Sequence, residues 1–179
     1  MIRIGRGMWK GHILRPPASV LRKRPTPSRV REAVFDILGP NDLDGMSVWD
    51  LCCGSGAFGI EALSRGAIHC LFVDSDHRAT DFVKDFLGQH GATDRAQVVT
   101  GSVERIVLNR EDRPDLVYLD PPYRSDKLYS WAGMLDWQSV VAPGGAVFLE
   151  AGSDRDIPGW EARKYGDTCL LFRWTEKPL

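Results

Sequence analysis

Several features that would settle a function outright are scarce in this 179-residue chain. Cysteine is one. Cys52, Cys53, Cys70 and Cys169 form no CxxC pair, which argues against a redox motif or a zinc ribbon. His12, His69, His77 and His90 show no metal-ligand spacing, so no metal site is expected. Buried free thiols in a reducing cytoplasm are the expectation. No apolar run approaches the ~18–20 residues of a membrane-spanning helix. The basic N-terminus has no apolar stretch behind it, so a secretory signal is not expected. There is no internal repeat and no low-complexity segment. No exposed apolar stripe calls for a second copy, so a monomer is expected. What remains, 43% apolar and 26% charged, fits a single globular domain with an ordinary core.

Acidic residues are missing from one place in particular. Residues 1–31 hold nine basic side chains and no carboxylate; the first is Glu32. The basic set is Arg3, Arg6, Lys10, Arg15, Arg22 and Lys23, then Arg24, Arg29 and Arg31. The rest of the chain holds 14 basic and 24 acidic groups, so the overall charge of -1 hides a +9 arm on a -10 body. A polyanion would bind such an arm and avoid much of the body. A solvated basic edge would show the same composition.

Residues 2–24 read as a small extended unit. Ile2 and Ile4 alternate with arginines, and Ile13-Leu14 can pair back before Pro16-Pro17. A helix follows, with Thr26 as a cap, Pro27 in its first turn, and Val30, Val34, Ile37 and Leu38 on one face. Gly39-Pro40 stops it. From residue 46 strands and helices alternate. Strands are expected over 47–51, 68–73, 97–100, 115–119 and 146–150, and helices over 58–65, 77–87 and 126–141. Two last strands, 160–165 and 168–174, flank a Gly166-Asp167 turn that favours a hairpin. The pattern implies an α/β fold: a mostly parallel sheet with helices on both faces and an antiparallel edge. Ligands of such sheets bind at the carboxyl ends of the strands.

The first parallel strand runs into Asp50-Leu51-Cys52-Cys53-Gly54-Ser55-Gly56-Ala57-Phe58-Gly59. Gly54, Gly56 and Gly59 satisfy GxGxxG, which lets backbone turn tightly and approach a ligand. The pattern alone also suits a ligand-free turn. Asp74 closes the second strand twenty residues after Gly54, with Ser75 behind it. A carboxylate there can accept both hydroxyls of a ribose. At the third strand end no acidic residue is evident for an adenine amino group; Ser102, helped by the Val103 N–H, is the expected contact.

The fourth strand ends in Asp120-Pro121-Pro122-Tyr123. Two prolines fix the backbone and neither can donate a hydrogen bond. An exocyclic NH2 can give one proton to the Asp120 carboxylate and one to the Pro121 carbonyl while Tyr123 stacks on its ring. Positive charge that develops on the nitrogen as it attacks a methyl sulfonium would be bound more tightly than the ground state. This favours S-adenosylmethionine over a nicotinamide cofactor. Most of the six tryptophans read as packing residues; Trp9, on the arm, is also a candidate for base stacking.

Taken together the chain resembles the bacterial 16S ribosomal RNA guanine-N2 methyltransferases of the RsmD type. The resemblance rests on Ile2-Arg3-Ile4-Gly5 with Trp9-Lys10-Gly11, Arg24-Pro25-Thr26, Arg29-Val30-Arg31-Glu32, residues 50–59, Glu61-Ala62-Leu63-Ser64-Arg65-Gly66 and the DPPY tetrapeptide. It implies a Rossmann-like class I methyltransferase domain over residues 26–179, with seven strands, and a basic N-terminal hairpin extension over 1–25. The hairpin and its arginines would hold RNA in the small subunit or its assembly intermediate. Carried over by position, residues 120–123 hold the target guanine. Asp50, Cys52, Gly54, Ser55, Gly56 and Gly59 hold the methionine side of S-adenosylmethionine, and Asp74 its ribose. Thr26 and Arg29 roof the pocket, beside their helix-capping reading. Ser102 is a departure, since an acidic or amide residue suits that place better.

Three other readings stay open at this point. The same clamp serves N6-adenine or protein glutamine methyltransferases. An NAD-dependent oxidoreductase could use GxGxxG, but would leave DPPY and the arm unexplained. A non-catalytic RNA-binding module would keep the arm and leave the clamp idle.

Overall fold

A computed structural model of the chain describes residues 2–21, 28–39, 43–108 and 111–177. Two short strands, β1 (Ile2–Arg3) and β2 (Ile13–Leu14), pair antiparallel as a hairpin. After helix α1 (Ser28–Leu38), strands and helices alternate: β3 (Ser47–Leu51), α2 (Ala57–Ser64), β4 (His69–Asp74) and α3 (His77–Gln89). A 3-10 turn (Thr93–Arg95), β5 (Ala96–Thr100), α4 (Val103–Leu108) and β6 (Leu116–Leu119) follow. Helices α5 (Asp126–Met134) and α6 (Trp137–Val140) lead to β7 (Ala146–Gly152), β8 (Glu161–Tyr165) and β9 (Thr168–Trp174).

The seven-stranded sheet has the order β5-β4-β3-β6-β7-β9-β8. The pairs β3–β4, β4–β5, β3–β6 and β6–β7 are parallel. β9 runs antiparallel to both β7 and β8. The chain therefore leaves β3 toward one edge and returns past it to β6, which makes the β3/β6 boundary the switch point.

Both faces of the central strands are buried, so hydrophobicity alone does not show which side chain faces which layer. Packing does. Val48, Phe72, Leu116, Tyr118 and Phe148 join α1, α2 and α3 in one apolar cluster. Their neighbours Trp49, Leu71, Val117, Leu119 and Leu149 join α4, α5 and α6 in another. Three layers result, and the hairpin adds to the first cluster through buried Ile4 and Leu14.

The structure departs from expectation in two helices. The apolar spacing over 126–141 suggested one helix, but Leu135 is extended (φ -67, ψ 133) and Asp136 caps a new turn by accepting the Gln138 N–H at 3.1 Å. The Trp137 indole bonds back to Ala132 O at 2.8 Å, which fixes the corner. Helix α4 was not anticipated; it is only six residues long and carries too few periods to stand out.

All four cysteines are buried free thiols. Burial, reinforced by the Asp50 charge, pushes the Cys53 and Cys70 thiols well above their ordinary range. A raised folded pKa means that stability from keeping these thiols neutral is complete below the unfolded value of about 8.5 and declines as pH climbs above it. Cys53 and Cys70 should therefore resist an alkylating reagent at pH 8 in the native protein and react on unfolding in guanidinium. Site-resolved mass spectrometry reads this; fast native labelling of either thiol would contradict the packing.

Candidate active site

The turn after β3 is built on left-handed backbone. Cys52 (φ 59), Gly54 (φ 52) and Gly56 (φ 67) all have positive φ. At Cys52, a residue with a Cβ, this costs about 1–3 kcal/mol, the kind of strain kept at ligand sites. At Gly56 a Cβ would also lie 2.6 Å from Val83 Cγ2, whereas at Gly54 the space beside the backbone is open. Gly54 is thus the place where a ligand can come close. Gly59 serves packing instead. A Cβ there would sit 2.3 Å from the Phe72 ring, and its N–H donates to buried Asp50 Oδ2 at 2.9 Å. Asp50 so anchors the first turn of α2 beneath the loop.

Asp74 holds the loop from the neighbouring strand. Its Oδ2 accepts the Gly54 N–H at 2.8 Å and its Oδ1 the Asp76 N–H at 2.9 Å. Each carboxylate oxygen has a second lone pair, so acceptor capacity for two hydroxyls remains beyond these bonds.

Two open cavities meet at Cys52. One, about 380 Å³, is lined by Asp74, Ser75, Ser102, Val103, Glu104 and Pro122 among others. The other, about 60 Å³, is lined by Asp50, Gly54, Ser55, Phe58, Tyr118 and Asp120, with Ile2, Val20, Leu21 and Arg31 closing it. The loop, strand-end and DPPY residues therefore converge on one cleft at the carboxyl end of the sheet.

Asp120 continues β6, its N–H donating to Leu51 O at 3.2 Å across the switch point. Pro121 is buried, Pro122 and Tyr123 are exposed. The Tyr123 hydroxyl is 3.0 Å from Thr168 Oγ1, which ties the ring to the start of β9. Beneath them lies Tyr118, stacked on Phe58 at 3.9 Å and donating to buried Glu150. Burial and the nearby carboxylates Glu150 and Asp120 push the Tyr118 phenol far up, so it remains a hydrogen-bond donor at any working pH.

Glu104 was not singled out by its sequence context. It lines the cavity beside Asp74, accepts from Ser102 Oγ at 2.6 Å and pairs with Lys127 at 3.1 Å. The Ser102 bond is the first cause of its lowered pKa, followed by smaller contributions that include Lys127. Ser102 thus holds an acidic side chain in the cavity. The signal was the Ser-x-Glu spacing two residues past the strand end.

Two residues expected to contact RNA are held in contacts within the fold. Arg31 is 4% exposed, not part of a basic surface. Its Nε donates to Glu61 Oε2 and its Nη2 to Arg3 O, both at 3.0 Å. Trp9 is half-buried and packs edge-on against Phe86 and His90, so its ring is engaged in the fold. Arg3, Arg6, Lys10 and Arg15 are exposed. Arg29 is exposed and donates to Tyr165 O at 2.9 Å, reaching the β8–β9 corner that also receives Tyr123. Thr26, Arg22, Lys23 and Arg24 lie outside the described residues. Among the described residues, no cluster of His, Cys, Asp and Glu is placed to hold a metal.

A sheet of this order, with a glycine turn after its central strand, an acidic residue closing the next and an acidic Pro-Pro-Tyr at the switch point, defines a class I methyltransferase. Comparison with known proteins narrows this. The model of the family described as "Conserved hypothetical protein 95" matches residues 2–174, and the chain belongs to that family, the RsmD type. The chain is 38% identical over 160 residues to YlbH of Bacillus subtilis (strain 168), covering 88% of this chain and 86% of that one. It is 31% identical over 157 residues to "Ribosomal RNA small subunit methyltransferase D" of Escherichia coli (strain K12), covering 88% and 78%. Among solved structures, hypothetical protein TTHA0928 of Thermus thermophilus superposes with a TM-score of 0.83 at 31% identity, covering 98% of this chain and 99% of that one.

Proposed function

We propose that this chain transfers a methyl group from S-adenosylmethionine to the exocyclic N2 of a guanine in small-subunit ribosomal RNA. The substrate is an assembled or partly assembled subunit, and the enzyme acts as a monomer in the cytoplasm. The observation that carries the reading is Asp120-Pro121-Pro122-Tyr123 at the switch point, on the wall of the cleft that the glycine turn opens. The cleft fits the cofactor: open space at Gly54, spare acceptor sites on Asp74 and an acidic group at Glu104 match an adenosine.

The bound cofactor supplies an electrophilic methyl on a sulfonium that is already a good leaving group. Asp120 and the Pro121 carbonyl accept the two N–H bonds of the amino group, and Tyr123 covers the base. The Thr168 bond holds Tyr123 in place before substrate arrives. These acceptors bind the nitrogen best as its positive charge grows, so their contribution falls on turnover. Asp120 also stands ready to take the proton that the methylated nitrogen sheds. Positioning supplies much of the remaining rate, and no covalent nucleophile is called for.

The basic hairpin supports a polyanionic partner. Ile2 and Leu21 line both the cleft and an adjoining groove formed with Ile13, Leu14, Arg15 and Pro16, so the hairpin surface opens directly onto the site. Reversing the charge of Arg6 and Lys10 should weaken RNA binding and reduce the salt slope by about 0.7–0.9 for each phosphate no longer neutralised. An unchanged slope would assign the hairpin a purely structural role.

The test is transfer from isotopically labelled cofactor to unmodified small subunits, naked rRNA and duplex DNA, with nucleoside analysis. Labelled N2-methylguanosine from subunits is expected. Label in N6-methyladenine or in protein would retain the clamp and reject the target.

A further inference from the structure

Strand β7 carries a carboxyl side chain, Glu150, in an otherwise apolar run, and that side chain is fully buried. Glu150 stands one residue beyond the Leu119–Leu149 pair of β6 and β7, level with Asp120. A buried carboxyl costs stability unless its lone pairs are met, and an apolar residue of similar volume is often the more stable choice. Packing alone would therefore favour an apolar residue at this strand end.

Tyr118 and Tyr129 converge on Glu150 from either side of the Pro-Pro turn. Tyr118, on β6 before the turn, donates its hydroxyl to Glu150 Oε1. Tyr129, on α5 after the turn, donates to the Glu150 carbonyl at 3.0 Å. Both rings are buried and held by further neighbours. Phe58 stacks on Tyr118 at 3.9 Å. The Arg155 guanidinium lies 3.9 Å over the Tyr129 ring and donates at 2.7 Å to Asp126, in the first turn of α5. Between these anchors the Tyr123 hydroxyl meets Thr168, which pairs with Gly152, two residues past Glu150. The segment that presents Asp120 and Pro121 is thus tied to the end of β7 before the turn, within it and after it. Tyr118 and Asp120, two residues apart, line the same cavity, so a displaced Tyr118 ring would carry the Asp120 carboxylate with it.

On this basis, and resting on the methyl-transfer reading, we infer that Glu150 is a positioning residue for the clamp. It touches neither base nor cofactor, since it is fully buried and other residues form the walls of both cavities. It acts through Tyr118 and Tyr129. Together they set the Asp120 carboxylate and the Pro121 carbonyl at the separation an amino group needs before substrate arrives. Acceptors fixed in advance favour the reaction because nothing has to reorganise once the nitrogen begins to attack.

The test is single-turnover methyl transfer to unmodified small subunits at saturating cofactor, with each rate taken per molecule competent to bind S-adenosylhomocysteine by calorimetry. Glu150→Leu should slow transfer at least ~10-fold, the scale on which a small misplacement of reacting groups is felt. Its S-adenosylhomocysteine affinity should stay within about threefold of wild type. Glu150→Gln keeps an acceptor oxygen for Tyr118 and should recover most of the rate. Tyr129→Phe removes only the hydroxyl that reaches the strand carbonyl; it should slow transfer by a smaller factor, and it carries the test if the Leu variant does not fold. A lower melting temperature with an unchanged rate per competent molecule would mean that Glu150 only supports the fold. A Gln variant as slow as the Leu variant would assign the effect to the charge of Glu150 and overturn the positioning role. A loss confined to S-adenosylhomocysteine affinity would move Glu150 to the cofactor site. Absence of transfer by the wild-type protein would reject the methyl-transfer reading, and this inference with it, before any variant is compared.

Discussion

Asp120→Ala should lose at least ~10²-fold in kcat, the scale seen when one pre-set electrostatic partner of a transition state is removed. Its affinity for S-adenosylhomocysteine should stay within about threefold of wild type, as expected for an interaction made chiefly during reaction. Asp120 sits on the cavity wall across from the glycine turn, with its backbone fixed by Leu51 O, so truncating the side chain leaves the strand pairing intact. What disappears is the acceptor for one amino proton and the negative charge beside a nitrogen that becomes cationic. Asp120→Asn keeps an acceptor oxygen and loses the charge; it should fall between the two. Single-turnover methyl transfer with calorimetry on the same samples separates the effects. Equal loss of binding and turnover would make Asp120 a cofactor ligand and reassign the clamp.

The strand ends were legible because glycine and proline mark them and because carboxylates stand at fixed distances from those marks. Asp50, Gly54, Asp74 and Asp120 all reach the cleft or its support. The mostly parallel sheet and its antiparallel edge followed from alternating elements and a final Gly166-Asp167 turn, whereas the spatial order of the strands came from the structure. Arg31 was not legible in the same way. Its charge looked like one more member of the arm, and its burial depends on Glu61, thirty residues onward and on another helix. The break at Leu135-Asp136 escaped for a local reason: it uses an aspartate cap with no glycine or proline to announce it. The motif residues 61–66 carried a family likeness without an evident purpose. In the structure Ser64 accepts the Trp9 N–H at 2.9 Å and donates to Arg6 O at 2.6 Å, and its carbonyl receives the Met8 N–H. Gly7 lies so close to Ser64 that a Cβ would overlap its carbonyl. The motif is a docking platform for the hairpin, a long-range role that no local pattern encodes.

Glu61→Ala should cause the largest loss of stability of any single change on that platform. Glu61 is fully buried and its two oxygens serve Arg31 and Arg65 separately. Removing it leaves two largely desolvated guanidiniums facing each other, and breaking a buried pair in this way costs about 3–5 kcal/mol. A whole domain has only about 5–15 kcal/mol to lose. At about 2–4 °C per kcal/mol for a chain of this size, the melting temperature should drop by roughly 6–20 °C. Arg31→Met in the same background removes one of the stranded charges, so the double variant should be more stable than the sum of the single losses predicts, by about 0.5–3 kcal/mol. The damage should also be directional. Arg31 carries the Arg3 carbonyl and Gly5 rests against Glu61, so the hairpin loses its seat first. Amide exchange at Ile4 and Gly11, which bond across the hairpin at 2.9 Å, should accelerate more than exchange in β3 or β6. Additive losses, or uniform exchange through the sheet, would mean that the cluster does not couple hairpin to body. The hairpin and helix α1 thus meet at one buried carboxylate. A hairpin displaced from Glu61 would leave Arg31, on the wall of the cleft, without its brace from the Arg3 carbonyl.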